Sequence, residues 1–231
     1  MYWLTQKQIA QFPDRFRARL INCLSGYKSA NLIGTANTQH QPNLAIVSSV
    51  VHLGANPPLI GMVTRPRTVR RDTVNNIRAS GFYTINAVSE SMIAQAHQTS
   101  AQYPCDVSEF AATGLNVEWV DSFAAPAVAE SPLSYGLELK QIVPIELNGT
   151  EFIIGEIKWL RMREQAIRSD GFINISELKL AAISGLDSYH IPKAGTRYEY
   201  ALPEEVAGVI PDQGAEDIQP AVDLSNYWQE A

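Results

Sequence analysis

The stretch from Ser29 to Pro66, "SANLIGTANTQHQPNLAIVSSVVHLGANPPLIGMVTRP", constrains the fold more than any other part of the chain. Its short apolar runs are separated by turn clusters at Asn37 to Asn43 and at Gly54 to Pro58, a pattern that predicts three strands in a meander. "NLAIVSSVV" is rich in β-branched residues and reads as one strand, while the proline pair of "PPLIGMVTR" suits strand entry and excludes a helix start. "GFYTINAV" adds another strand. Further on, "SYGLELKQIVPIEL" and "TEFIIGEIKWLRM" flank Asn148-Gly149, which predicts a hairpin with a two-residue turn.

Helices are few. The opening segment has helical character, "RDTVNNIRASG" predicts a short helix capped by Asp72 and stopped by Gly81, and a longer one is expected from Ser89 to Gln102. Many antiparallel strands, two or three helices, no regular βαβ alternation and no G-x-G-x-x-G after a strand point to a mainly β barrel or sandwich rather than a doubly wound sheet.

Composition sets the outer bounds. The chain has 231 residues, 45% of them hydrophobic, which is enough for a sizeable core. No apolar run approaches the roughly 18 to 20 residues a membrane span needs, and the N-terminus lacks the pattern of a signal peptide, so the cytoplasm is the expected compartment. Cys23 and Cys105 are far apart and predict neither a disulfide framework nor a thiolate metal site. His40, His52, His97 and His190 show no metal-ligand spacing. The net charge of -6 comes from the segment Leu202 to Ala231, which carries seven acidic residues and no Lys or Arg. The expected organisation is therefore a domain over 1–201 and an acidic tail over 202–231, extended or docked on a partner subunit through Tyr227 and Trp228.

Without that tail the chain is close to neutral, and four arginines crowd one stretch of it: Arg65, Arg67, Arg70 and Arg71, followed by Asp72 and Thr73. Guanidinium forks beside the unpaired N–H groups of a helix start form an anion site suited to a phosphate monoester. A solvated turn or a set of salt-bridge partners reads the same arginines without a ligand. Nucleic acid is disfavoured by the neutral body and the acidic tail. Two more observations bear on a site. Ser48 and Ser49 put hydroxyls in the middle of an apolar strand, where something must hydrogen-bond to them. Asn86 sits near the end of another such strand, though core serines and asparagines often find a backbone partner. Lys28 and Ser29 suit a solvated turn, and Trp119, Tyr135 and Trp159 suit packing.

The runs "NLAIVSSVVHLGANPPLIGMVTRP", "DTVNNIRASGFYTINAV" and "GTEFIIGEIKWL" resemble the flavin reductase-like family over roughly residues 25 to 200. The resemblance implies an FMN-binding split β-barrel, Greek-key and antiparallel, assembled as a homodimer with the flavin near the subunit interface. It implies that Ser48, Ser49 and Val50 line the isoalloxazine, and that the backbone up to Val51 stabilises negative charge on the reduced ring. Arg65 and Thr73 would meet the phosphate, with Arg70 and Arg71 next in order and Arg67 solvated, and Asn86 would lie near the ribityl chain or ring edge. His52 is a weaker candidate for approach to the ring or its substrate.

The implied activity is oxidoreduction, with NADH or NADPH delivering a hydride to FMN and no protein acid or base required for that step. A second reading is an FMN-binding electron-transfer or carrier protein without pyridine-nucleotide turnover. A third is an activity like that of pyridoxamine-phosphate oxidase.

Overall fold

Seven antiparallel strands make the main sheet of the computed structural model, which describes residues 1–66, 71–104 and 106–211. They are Asn31–Ala36 (β1), Pro42–Val47 (β2), Val50–Ala55 (β3), Pro58–Thr64 (β4), Phe82–Ala87 (β5), Leu133–Ile145 (β6) and Thr150–Met162 (β7). Their spatial order is β2-β1-β5-β6-β7-β4-β3. The two ends of that order, β2 and β3, are consecutive in the chain and separated only by Ser48 and Ser49. The sheet's two edges therefore meet at this corner, and the sheet curls into a barrel with a seam where they part.

The one strand expected over "NLAIVSSVV" is thus two. The β1 ladder ends at the Asn31–Val47 pair and the β4 ladder begins at the Met62–Val50 pair, so the chain changes partners across the two serines.

Inside the barrel, Ile33, Met62, Tyr83, Ile85, Leu137 and Ile153 pack together, joined by Val74 and Ile77. The last two lie on the helix Asp72–Ser80, as their spacing predicts, and Gly81 ends that helix in the left-handed region at φ 78°. A second cluster covers the outer side of β1 and β2, where Leu32 and Leu44 meet Val88, Met92, Ala96 and Phe110. Every residue of β1 is buried because both its faces are covered, and its two polar members find partners inside, Asn31 at Ser29 and Thr35 at Asn43 and Asn76. Burial pushes the phenols of Tyr83 and Tyr135 well above the ordinary tyrosine range, so both remain protonated core residues.

The described residues hold five short α-helices: Gln6–Ala10 (α1), Asp14–Cys23 (α2), Asp72–Ser80 (α3), Ile93–Gln98 (α4) and Glu109–Thr113 (α5). The long helix expected from Ser89 is a 3₁₀ turn, Glu90–Met92, followed by α4 alone. Ser89 Oγ bonds Ser91 Oγ at 3.1 Å instead of capping, and Thr99 Oγ1 donates to the Ala96 carbonyl at 2.8 Å, drawing off a carbonyl from the last turn. The hairpin at Asn148-Gly149 is present, but Ile145 pairs with Thr150, so the connection has four residues and not two. Asn148 Oδ1 accepts from the Thr150 backbone N–H at 3.1 Å, and Gly149 takes φ 69°.

The chain on the two sides of residue 201 is paired. Val209–Ile210 pairs with Arg197–Tyr198, so one hairpin straddles it. Arg197 ties that hairpin to the body through Asp170 at 2.5 Å and by stacking over Phe172. Residues 212–231, with Tyr227 and Trp228, lie outside the described residues, as does Cys105.

Candidate functional site

The corner between β2 and β3 explains one of the two serines. Ser49 Oγ donates to the Val63 carbonyl at 2.7 Å, and the Val63 N–H donates to the Ser49 carbonyl at 3.1 Å. The half-buried Ser48 hydroxyl has no hydrogen bond among the described residues. With Ser49 exchanging bonds with Val63, antiparallel alternation turns the backbone groups of Val50 and His52 away from β4. This edge is accessible: the side chains of Val51, His52 and Leu53 are exposed.

β4 runs back from its hairpin with β3 to the corner, where Val63 lies against Ser49, and the arginines follow directly after it. Arg65, one residue past its end, is exposed. Arg71 is half-buried, and its Nη1 donates to Thr64 Oγ1 at 2.9 Å, which ties the start of α3 to the end of β4. Arg71 is also the residue preceding α3, the position expected of Asp72, which instead opens the helix proper. A guanidinium has no acceptor to offer, so it cannot cap the first-turn N–H groups as a carboxylate would. Arg67 and Arg70 lie outside the described residues.

Thr73, in the first turn, accepts a hydrogen bond from Asn43 Nδ2 at 3.0 Å. On the far turn of the same helix, Arg78 meets Glu151 Oε1 at 2.6 Å, and Glu151 is 2% exposed. Two strands thus hold α3 in place, β2 at its first turn and β7 at its last.

Asn86 is not at this site. It is fully buried: its Nδ2 donates to the Leu32 carbonyl at 3.1 Å and to Thr84 Oγ1 at 2.9 Å, and its Oδ1 accepts from the Val128 N–H at 3.0 Å. Both polar atoms of the side chain have partners within the fold. Lys28 has a similar role, donating to the carbonyls of Asn22 and Gly185 at 3.1 Å each. His97 bonds Tyr189 OH at 3.0 Å, and His190 bonds Ser184 Oγ at 2.8 Å. Among the described residues no group of three or more His, Cys, Asp or Glu could hold a metal ion, and no helix is long and apolar enough to cross a membrane.

The structure therefore brings Ser48, Ser49, Val50, Val51, Arg65, Arg71 and Thr73 onto one continuous path from the seam past the end of β4 to the start of α3. Sequence reasoning missed Asn43 and Thr64. Both are small polar residues at strand ends, where turns and caps usually account for them, and only the three-dimensional contacts separate these two from the rest.

An antiparallel barrel parted at one corner, with a backbone edge open there and cationic side chains beside an uncapped helix start, is the frame of a split-barrel protein. The chain belongs to the flavin reductase-like family: residues 24–174 match the flavin reductase like domain, whose family binds FMN.

Among solved structures it is similar to a presumed flavin reductase with a split-barrel domain from Shewanella frigidimarina NCIMB 400. The two are 49% identical with a TM-score of 0.84, over 87% of this chain and 100% of that one. Nitrilotriacetate monooxygenase component B from Bacillus cereus shares the fold at 20% identity and TM-score 0.75, over 87% of this chain and 98% of that one. An uncharacterized protein of Deinococcus radiodurans is 27% identical over 169 residues, 71% of this chain and 74% of its own length.

Proposed function

We propose that this protein binds FMN along the path from the seam to α3 and works as an NAD(P)H-dependent, flavin reductase-like oxidoreductase. The observation that carries this reading is the open edge of β3 starting at the corner where β4 ends beside the start of α3: fixed backbone donors and an anion-ready corner on one surface. The residues present fit the cofactor in chemical kind. Arg65, Arg71, Thr73 and the first-turn N–H groups of α3 are phosphate donors, and the outward N–H groups of Val50 and His52 suit the carbonyl edge of a flavin ring.

Bound FMN supplies hydride acceptance, and the chain supplies position and electrostatics. Arg65 and Arg71 neutralise the phosphate. Thr64 holds the Arg71 guanidinium in place, and Ser49, fastened to Val63, fixes the direction of the β3 backbone. Fixed dipoles along that edge stabilise negative charge on a bound ring without reorganising. In this reading the active form is a homodimer, and Val51 and Leu53, 47% and 42% exposed beside the open edge, are apolar surface for a second copy to cover.

The absorption spectrum of the purified protein, taken anaerobically before and after NADH or NADPH, tests the reading. A flavin spectrum that bleaches with either nucleotide supports it and names the donor. Flavin that stays oxidised with both makes the protein a carrier, and failure to take up added FMN overturns the cofactor itself.

A further inference from the structure

We infer that Asn43 is a positioning residue that makes the Thr73 hydroxyl a hydrogen-bond donor to phosphate. The inference rests on the reading above, in which the phosphate sits at the start of α3. A threonine hydroxyl carries one proton and two acceptor lone pairs, so its partners decide which role it plays towards a ligand. Asn43 Nδ2 occupies a lone pair of Thr73 Oγ1 at 3.0 Å. The same nitrogen also donates to Thr35 Oγ1 at 3.2 Å.

Thr35 anchors the asparagine in the fold. It is fully buried, and its Oγ1 also accepts from Asn76 Nδ2 at 3.2 Å. Asn76 is itself 8% exposed and belongs to α3, so the pair Thr35–Asn76 joins β1 to the helix. Asn43 thus presents its NH₂ to both hydroxyls and turns its carbonyl away from the cluster. Thr73 is then an acceptor towards the protein, and among the described residues no acceptor takes its proton. That proton is left for an anion beside Arg71. The opposite amide orientation would consume the proton and present a lone pair to the phosphate, which repels.

Titrating FMN and riboflavin into the apo-protein, followed by flavin fluorescence, tests this, because only FMN carries the phosphate. Thr73→Val should weaken FMN on the order of tenfold and leave riboflavin within about twofold. Asn43→Ala should weaken FMN by about three- to tenfold with riboflavin unchanged, and should cause no further loss in the Thr73→Val background. Asn43→Asp, equal in size and so the variant that keeps the fold if alanine does not, should weaken FMN more than alanine does, since a carboxylate accepts the Thr73 proton.

Equal losses for both flavins, or an Asn43→Ala loss that is the same with and without the Thr73 hydroxyl, would make Asn43 merely structural and overturn the inference while leaving the FMN site standing. Unchanged FMN affinity in Thr73→Val would overturn both it and the placement of the phosphate.

Discussion

β2 and β3 are one run of chain bent at two serines, yet their outer edges are in opposite states. On β2, the Leu44 N–H, fully buried, donates to Glu109 Oε2 at 3.0 Å, and the Pro42 carbonyl accepts from Ser108 Oγ at 2.6 Å. The start of α5 thus seals that edge. On β3, among the described residues, nothing bonds the outward backbone groups of Val50 and His52. An unpaired strand edge is a liability that proteins usually cover, and in the function proposed above bound FMN and a second copy are what cover this one. The difference separates residues whose loss should cost stability from residues whose loss should cost binding.

The sharpest contrast is between two strand glycines. A Cβ at Gly34, opposite Leu44 on the sealed side, would press on the Pro126 carbonyl oxygen and Thr84 Oγ1, both buried. At Gly54, on β3, the nearest heavy atom would be the Pro57 carbonyl oxygen at an ordinary 3.5 Å. Gly34→Ala should destabilise by about 3 kcal/mol, and Gly54→Ala should stay within about 1 kcal/mol of the parent. Urea unfolding of both variants measures this, and equal costs would erase the proposed difference between the two halves.

Binding should follow the opposite pattern. Arg65→Ala, on the open side, should weaken FMN by about 1.5 to 3 kcal/mol and leave riboflavin and the unfolding midpoint nearly unchanged. Parallel titrations with the two flavins check it; an unaltered FMN affinity would shift the phosphate grip onto Arg71 and its neighbours.

The sealed edge supplies the matching control. Glu109→Ala strips the buried Leu44 N–H of its acceptor and should cost about 1 to 3 kcal/mol of stability without changing FMN affinity. Glu109→Gln retains a carbonyl oxygen and should recover most of the loss. If both variants unfold like the parent, Glu109 does not seal the edge.

Much of this was legible in advance. Val74, Ile77 and Gly81 wrote α3 into the sequence through helical spacing and a C-terminal stop, and the long hairpin followed from alternating runs around Asn148-Gly149. The Ser48–Ser49 pair was visible as an anomaly, but its meaning as a corner depends on which strands flank it, a long-range fact absent from local pattern. Asn86 is ambiguous for a related reason: a polar residue in an apolar strand looks the same whether its partner is a ligand or the Val128 N–H, 42 residues away. Asn43 and Thr64 were passed over because strand-end polar residues are ordinary, and only their meeting with Thr73 and Arg71 sets them apart.

A third part of the sheet is neither sealed nor open. On β6 and β7, Glu138 and Glu156 alternate with Lys140 and Lys158 in a square of four ion pairs at 2.8 to 2.9 Å. Hydrogen bonds from Lys140 and then Lys158 hold the Glu138 carboxyl down to about 2 and also lower Glu156. The same contacts raise Lys140 to about 12 and raise Lys158.

Carboxylates lowered by folding contribute stability that is complete above their unfolded value of 4.5 and is lost as pH falls towards about 2. Lysines raised by folding contribute below 10.5 and lose that contribution as pH rises through about 12. The square should therefore leave the urea midpoint flat across neutral pH and add to its fall on the acid side, modestly, because water and salt screen exposed pairs. Replacing both lysines by methionine should flatten part of the acid slope, and 1 M salt should do the same to the parent, as about 3 Å of screening length predicts. An acid slope identical in the parent and the double variant would mean that the square, for all its short contacts, contributes nothing measurable to stability.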